Sequence, residues 1–214
     1  MRELLTYIFV FSCMIVFGQQ DDLSDIVNEI DVSVNRTLST RHSEYSEQFG
    51  FGVGAKHIFM KSKKLNLVTG MEYNLNRFQI DHLYDGHWSY LTDVRHTLHN
   101  LSIPLYVRWN FGKKINFFVE AGGFIDLIID GKRSGTRHTA SSNLTGEAVS
   151  DFEDEGAVYS TISYGASMGF GVSFPLEGCR IFIKPDCKLG LVDLNYYPPS
   201  VINSSLRINL GIQL

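Results

Sequence analysis

The chain is short of basic charge, of cysteine, of helical periodicity and of long apolar runs, and each shortage removes a class of protein. A formal net charge of −4 leaves no basic surplus to neutralise phosphates, which excludes nucleic acid as a partner. After residue 18 no apolar run approaches the length of a membrane-spanning helix. No phosphate loop, cysteine–metal knuckle, dinucleotide fingerprint or Gly-x-Ser-x-Gly elbow is present, so no catalytic, cofactor-binding or metal-binding residue is assigned. Disorder is excluded too, because 44% of the 214 residues are hydrophobic and only 20% are charged.

What is present begins with an address. Met1-Arg2-Glu3 precedes an almost wholly apolar stretch from Leu4 to Phe17, and Val16-Phe17-Gly18 before Gln19 has the small-residue form of a cleavage site. Residues 1–18 therefore read as a signal peptide for export. A rival reading makes Cys13 a lipoprotein acceptor, but Phe11 fits poorly before Ser12-Cys13. Residues 19–29 follow as an N-terminal periplasmic segment, and residues 30–214 as the folded domain. Cys179 and Cys187 remain after cleavage, both in one predicted strand. Eight residues at ~3.3 Å each hold them about 26 Å apart, too far for a disulfide.

Period-two alternation dominates that domain. At the C-terminus Leu206, Ile208, Leu210, Ile212 and Leu214 alternate with Ser205, Arg207, Asn209, Gly211 and Gln213. The same pattern runs through 115–129 and 162–174. It is less clean over 49–59, 65–75, 101–111 and 179–191, and weakest over 30–38, where Arg36 interrupts the apolar row of Ile30, Val32 and Val34. Eight strands result. Their connections alternate, with short ones at 60–64, 112–114 and 175–178 and long ones at 80–100, 130–161 and 192–204. Tight periplasmic turns and longer external loops are the plan of an all-β, eight-stranded antiparallel up-and-down transmembrane barrel.

The polar rows decide which face meets lipid. One row of 162–174 holds only Ser and Gly, and 49–59 contributes Gly50, Gly52 and Gly54. Such residues suit a narrow interior, where they make room for large neighbours. Lys56, Glu72, Arg108, Glu120, Asp126, Lys184, Asp186, Lys188 and Arg207 then share that lumen. Their near balance predicts salt bridges locking the barrel rather than an open channel. Phe49, Phe59, Trp109, Phe111, Phe117, Phe174, Tyr196 and Tyr197 lie near strand ends, as interfacial girdles do.

Leu101-Ser102-Ile103-Pro104-Leu105-Tyr106-Val107-Arg108-Trp109-Asn110-Phe111-Gly112 resembles the "L-x-I-P-L-x-x-x-x-x-F-G" strand of PorT-like outer-membrane β-barrels. Phe117 to Phe124 is similar to that family's next strand, Cys187-Lys188-Leu189-Gly190-Leu191 to its seventh, and Ser205 to Leu214 to its closing one. The resemblance implies a Gram-negative outer-membrane location. Two residues depart from it: the terminal residue is Leu214 rather than an aromatic, and Pro185 lies inside strand seven, where a lost donor predicts a bulge or irregularity.

Other groupings have two readings each. His57 with Ser62 near the periplasmic end has the residue types of a lipid-acyl enzyme, or His57 is an interfacial polar residue. Loop 81–99 holds Asp81, His82, Asp85, His87, Asp93, His96 and His99, which are divalent-metal ligand types or simply a polar loop. Its Tyr84, Trp88 and Tyr90 suit contact with a partner or glycan. Loop 132–156 runs from basic to acidic; it is a flexible solvated tip, or its two charged arms pair and extend the hairpin above the membrane.

The expected function is non-enzymatic: a barrel surrounded by outer-membrane lipid that anchors surface loops and contacts other envelope proteins through them. A lipid-modifying barrel enzyme and a soluble, exported lipocalin-like barrel are the alternatives. Nothing in the residues sets an oligomeric state.

Overall fold

A computed structural model describes residues 27–38, 45–59, 64–140, 147–155, 161–192 and 203–214. The signal peptide, Ser62, Tyr196 and Tyr197 lie outside these. Among the described residues ten strands form: β1 Glu29–Thr37, β2 Tyr45–Glu47, β3 Phe49–Phe59, β4 Leu65–Tyr84, β5 Ser89–Gly112, β6 Asn116–Ala140, β7 Glu147–Glu155, β8 Ile162–Leu176, β9 Cys179–Gly190 and β10 Ser205–Gln213. Eight of them close on themselves. Each neighbouring pair is antiparallel in the cyclic order β1-β3-β4-β5-β6-β8-β9-β10, and β1 seals the ring by pairing β10 from Glu29↔Gln213 to Thr37↔Ser205. All eight predicted strands are present, the weak first one included. Closure leaves no unpaired edge in hydrocarbon, where an unsatisfied backbone group is costly.

The orientation follows the alternation. Ile30, Val32 and Val34 are exposed while Asp31, Ser33 and Asn35 are buried, and on β10 Leu206 to Ile212 face outward as Arg207 and Asn209 face inward. The apolar rows thus turn away from the axis, the reverse of a soluble barrel. Arg36 does not break the pattern. It continues the outward row at the extracellular end of β1, where a long cationic side chain can reach the head groups. Phe59, Trp109, Phe111, Phe117 and Phe174 are exposed at the periplasmic ends, with Phe111 and Phe117 stacked 5.9 Å apart. They form the girdle on that side.

Two prolines interrupt pairing without shifting it. The β8–β9 ladder skips from Gly169↔Asp186 to Val172↔Ile183 around Pro185, with register preserved, so the expected irregularity is a local gap and not a bulge. Around Pro104 the β4–β5 ladder skips from Thr69↔Leu105 to Glu72↔Ser102, and the Thr69 hydroxyl donates to the Pro104 carbonyl at 2.6 Å. Tight reversals at Gly112 (φ 111°) and Gly178 (φ 81°) use a backbone conformation that favours glycine.

The long connections differ from a simple loop reading. β4 and β5 continue past the membrane, so the 80–100 connection is a hairpin with its turn between Tyr84 and Ser89. β6 continues to Ala140 and β7 returns along it from Ala140↔Glu147 to Lys132↔Glu155. The paired-arms alternative holds over 132–140 and 147–155, while the tip at 141–146 lies outside the described residues. With β2 on the far side of β4 (Tyr45↔Ile80), the order β2-β4-β5-β6-β7 makes a five-stranded sheet above the barrel. Its inward face buries Phe78, Ile80, Leu91, Val94 and Leu98, with Leu83, Ile128 and Phe152 against them. That small core is the physical reason the strands outrun the bilayer.

Candidate functional site

Two regions carry chemistry, the lumen and the extracellular sheet. Among the described residues the lumen encloses eleven buried ionisable side chains of acid or base type, namely the nine expected ones together with Glu29 and Asp31. Eight of these close a ring of alternating sign. Glu29 accepts from Arg108 (2.6 Å), Arg108 donates to Glu120 (2.5 Å), and Lys184 donates to Glu120 (2.6 Å) and lies 3.8 Å from Asp186. Asp186 takes both arms of Arg207 (2.7 Å each), and Arg207 also donates to Glu72 (2.6 Å). Glu72 lies 3.1 Å from Lys56, which closes back on Glu29 at 3.9 Å and also contacts Asp31. Outside the ring, Lys188 donates to Ser102 at 2.6 Å and approaches Asp126 (3.4 Å). Every strand of the barrel except β8 supplies a charged member to this network.

Aromatic rings fill the space the ions leave. Arg108 lies 4.5 Å over Phe118, Lys188 4.4 Å over Phe124 and Lys184 5.6 Å over Tyr106. Glycine makes this possible. A Cβ at Gly171 would sit 2.3 Å from the Phe118 ring, and one at Gly211 would sit 2.4 Å from Phe182. Sequence reasoning missed these four aromatics, along with Glu29 and Asp31. The doublets Phe117-Phe118 and Gly123-Phe124, in which an inward aromatic adjoins an outward or small residue, were the available signal. Bulky rings and paired ions leave no wide aqueous path. In planar bilayers the folded chain is expected to show no stepwise conductance, and porin-sized open levels would contradict this packing.

The sheet above is held by charge. Arg133 donates to Asp154 at 2.5 Å, Lys132 lies 3.8 Å from Glu153, and Arg137 lies 3.1 Å from Asp85. Arg133 and Arg137 flank the Phe152 ring at 5.5 and 5.4 Å. These partly exposed pairs contribute little individually; two of them join β6 to β7, and the third ties β6 to the β4–β5 turn. His96 faces the inner core and stacks on Phe78, with centroids 4.6 Å apart. Burial, then the neighbouring Arg133 charge, lowers its pKa from 6.5 to about 3. Between these values the unfolded chain binds a proton that folded His96 refuses, so sheet stability falls as pH drops through that window. An imidazole NMR titration should find His96 still neutral at about pH 5, and half-protonation near pH 6 would contradict the burial.

The other candidate groupings separate. His99 hydrogen-bonds Tyr73 (2.6 Å), His82 packs edge-on against Tyr90 (5.4 Å), and Asp81 and Asp93 both accept from Gln79. No three metal-ligand side chains converge among the described residues. His57 packs against Phe59 at 4.2 Å on the outward row. At the sheet tip Tyr84 and Trp88 are 74% and 75% exposed, and Tyr90 stacks on His138 at 4.5 Å. Among the described residues Tyr84 and Trp88 are the most exposed of the large hydrophobic side chains.

Three solved structures that the chain resembles are distant from it in sequence. Neisserial surface protein A is 13% identical at TM-score 0.43, covering 87% of this chain and 94% of that one. A major outer membrane protein from Thermus thermophilus is 14% identical at TM-score 0.41, covering 86% and 97%. Ail, the attachment invasion locus protein of Yersinia pestis, is 10% identical at TM-score 0.36, covering 87% and 97%. No curated protein matches by sequence. The family model described as "Outer membrane protein beta-barrel domain" matches residues 24–196, a span that takes in β1 to β9. With that match laid over a closed barrel whose greasy rows face outward, the chain belongs to the outer membrane β-barrel domain family and resides in the outer membrane.

Proposed function

We propose that the chain is a non-enzymatic membrane anchor holding the five-stranded extracellular sheet for contact with other envelope proteins. The observation that carries this reading is the contrast between the barrel's two parts. Its lumen is spent on internal ion pairs, while the sheet above builds its own core and presents Tyr84 and Trp88 to the outside. Large aromatics exposed on a rigid support are the residues that anchor protein interfaces. Within the family, the Leu101–Gly112 strand supports a PorT-like affiliation.

The test is photo-crosslinking in whole cells from position 88, with mass identification of attached proteins. A defined envelope protein should be captured, and capture should fall at least tenfold in a Tyr84→Ala variant. Equal capture from a lipid-facing control position such as Leu105 would overturn the reading. Lipid A and phospholipid acyl patterns should be the same with and without the protein, and a changed pattern would favour a lipid-modifying enzyme instead.

A further inference from the structure

The outward surface carries one trough that the anchor role does not use. Its floor is Pro185 and Cys187, small side chains between Ile183 and Leu189 on the outward row of β9. Met168 and Phe170 of β8 rise on one side, and Leu206 and Ile208 of β10 on the other, each at least half exposed. The hollow, about 630 Å³, is therefore a consequence of two small residues set among large ones, at the point where the β8–β9 ladder is interrupted.

Its direction is informative. At one end lies Val119, towards the periplasmic side of β6; at the other lie Val34 and Arg36 at the extracellular end of β1, with Phe49 beside them. Arg36 pairs in register with Leu206 and Phe49. Among the described residues it is the one charged side chain on the outward rows of β1 and β10. A lipid-facing charge costs least at the interface, which places Arg36 at head-group depth in the outer leaflet. A guanidinium carries five donors and matches phosphate bidentately, so a partner within the chain does not exhaust it.

We propose that this trough binds one acyl chain of a phosphorylated outer-leaflet lipid, with the phosphate held by Arg36. The trough faces hydrocarbon, so its occupant is apolar, and it ends beneath a cation, so the occupant's head is anionic. A lipid has both properties along one molecule. Fixed van der Waals contact along the walls would distinguish this lipid from those that merely surround the barrel.

The experiment is native mass spectrometry of the full chain folded in mild detergent, with equimolar lipid A or its dephosphorylated form as probe. The wild type should retain one lipid A. Cys187→Trp, which fills the floor, should cut retention at least tenfold, and Pro185→Leu should act in the same direction. Arg36→Gln should lower retention of lipid A about fivefold and leave the dephosphorylated probe unchanged. Folding of each variant is checked by its shifted electrophoretic mobility without heating. Equal retention by folded wild type and filled variants would overturn the proposal, as would unsaturating adducts of many lipids without preference for phosphate.

Discussion

Replacing Arg207 by alanine should lower the unfolding free energy by about 3–5 kcal/mol, the cost of leaving buried carboxylates without their cation. Arg207 is buried and is the link between Asp186, which it holds through two bonds of 2.7 Å, and Glu72 at 2.6 Å. Its removal takes the nearest cation from two acids: Glu72 keeps the ammonium groups of Lys56 and Lys188 at 3.1 and 3.5 Å, and Asp186 keeps that of Lys184 at 3.8 Å. Urea unfolding of the barrel in lipid vesicles, followed by tryptophan fluorescence, measures the loss. The sign of the penalty lies in the orphaned charges rather than in the lost attraction. Replacing all three groups with apolar residues, as Arg207→Met with Glu72→Leu and Asp186→Leu, should therefore cost less than the single substitution. A single variant as stable as wild type would mean that the ring of alternating charge does not hold the barrel together.

The second large effect tests the other face. Leu210 lies near the middle of β10, paired with Val32 and about half exposed to the surroundings. An arginine there should cost about 2–4 kcal/mol, because its charge enters the hydrocarbon at mid-depth. Ile212→Arg, close to the periplasmic end of the same row, should cost only about 0–1 kcal/mol, since the side chain reaches head groups. The depth dependence is the diagnostic part. On a water-facing row both substitutions would be nearly neutral.

These two effects share an origin that was legible in the residues. Alternation placed nine of the charged lumen groups and all eight barrel strands, because side-chain direction in a strand depends on parity alone. Within the barrel the structure differs from the alternation only in where strands begin and end; parity itself changes only in the upper sheet. The sequence places Glu29 in a periplasmic segment ahead of the barrel, yet it pairs with Gln213 and Lys56 inside it. Arg36 looked like an interruption because charge was expected only on the inward row. The upper sheet lies in segments that the sequence presents as long connections, although Phe78, Ile80, Val94 and Leu98 continue the inward row beyond the barrel. A parity change near Asp93, whose φ is 54°, brings Leu91 onto the same face. Alternation by itself does not announce such a change.

The candidate site was less legible than the fold. Residue types in the 81–99 segment suggested a cluster, but hairpin formation sends His96 to one face and His82 and His99 to the other, and no spacing rule reveals that before the bulge is known. The lipid trough had no signature at all. It arises from side-chain size on six neighbouring strands, from β6 through β8, β9, β10 and β1 to β3, and only register brings Pro185 opposite Ile208.

The central claim is the direction of the apolar rows, and spin labels along β10 test it most directly. Cysteines would be placed singly at positions 206 to 213 in a cysteine-free chain folded into vesicles, and collisions with oxygen and with a water-soluble nickel chelate recorded. Labels at 206, 208, 210 and 212 should meet oxygen and exclude nickel, with those at 207 and 209 shielded from both. Nickel reaching 208 and 210 as freely as it reaches a label at Trp88 would show that these rows face water, and the account would be wrong.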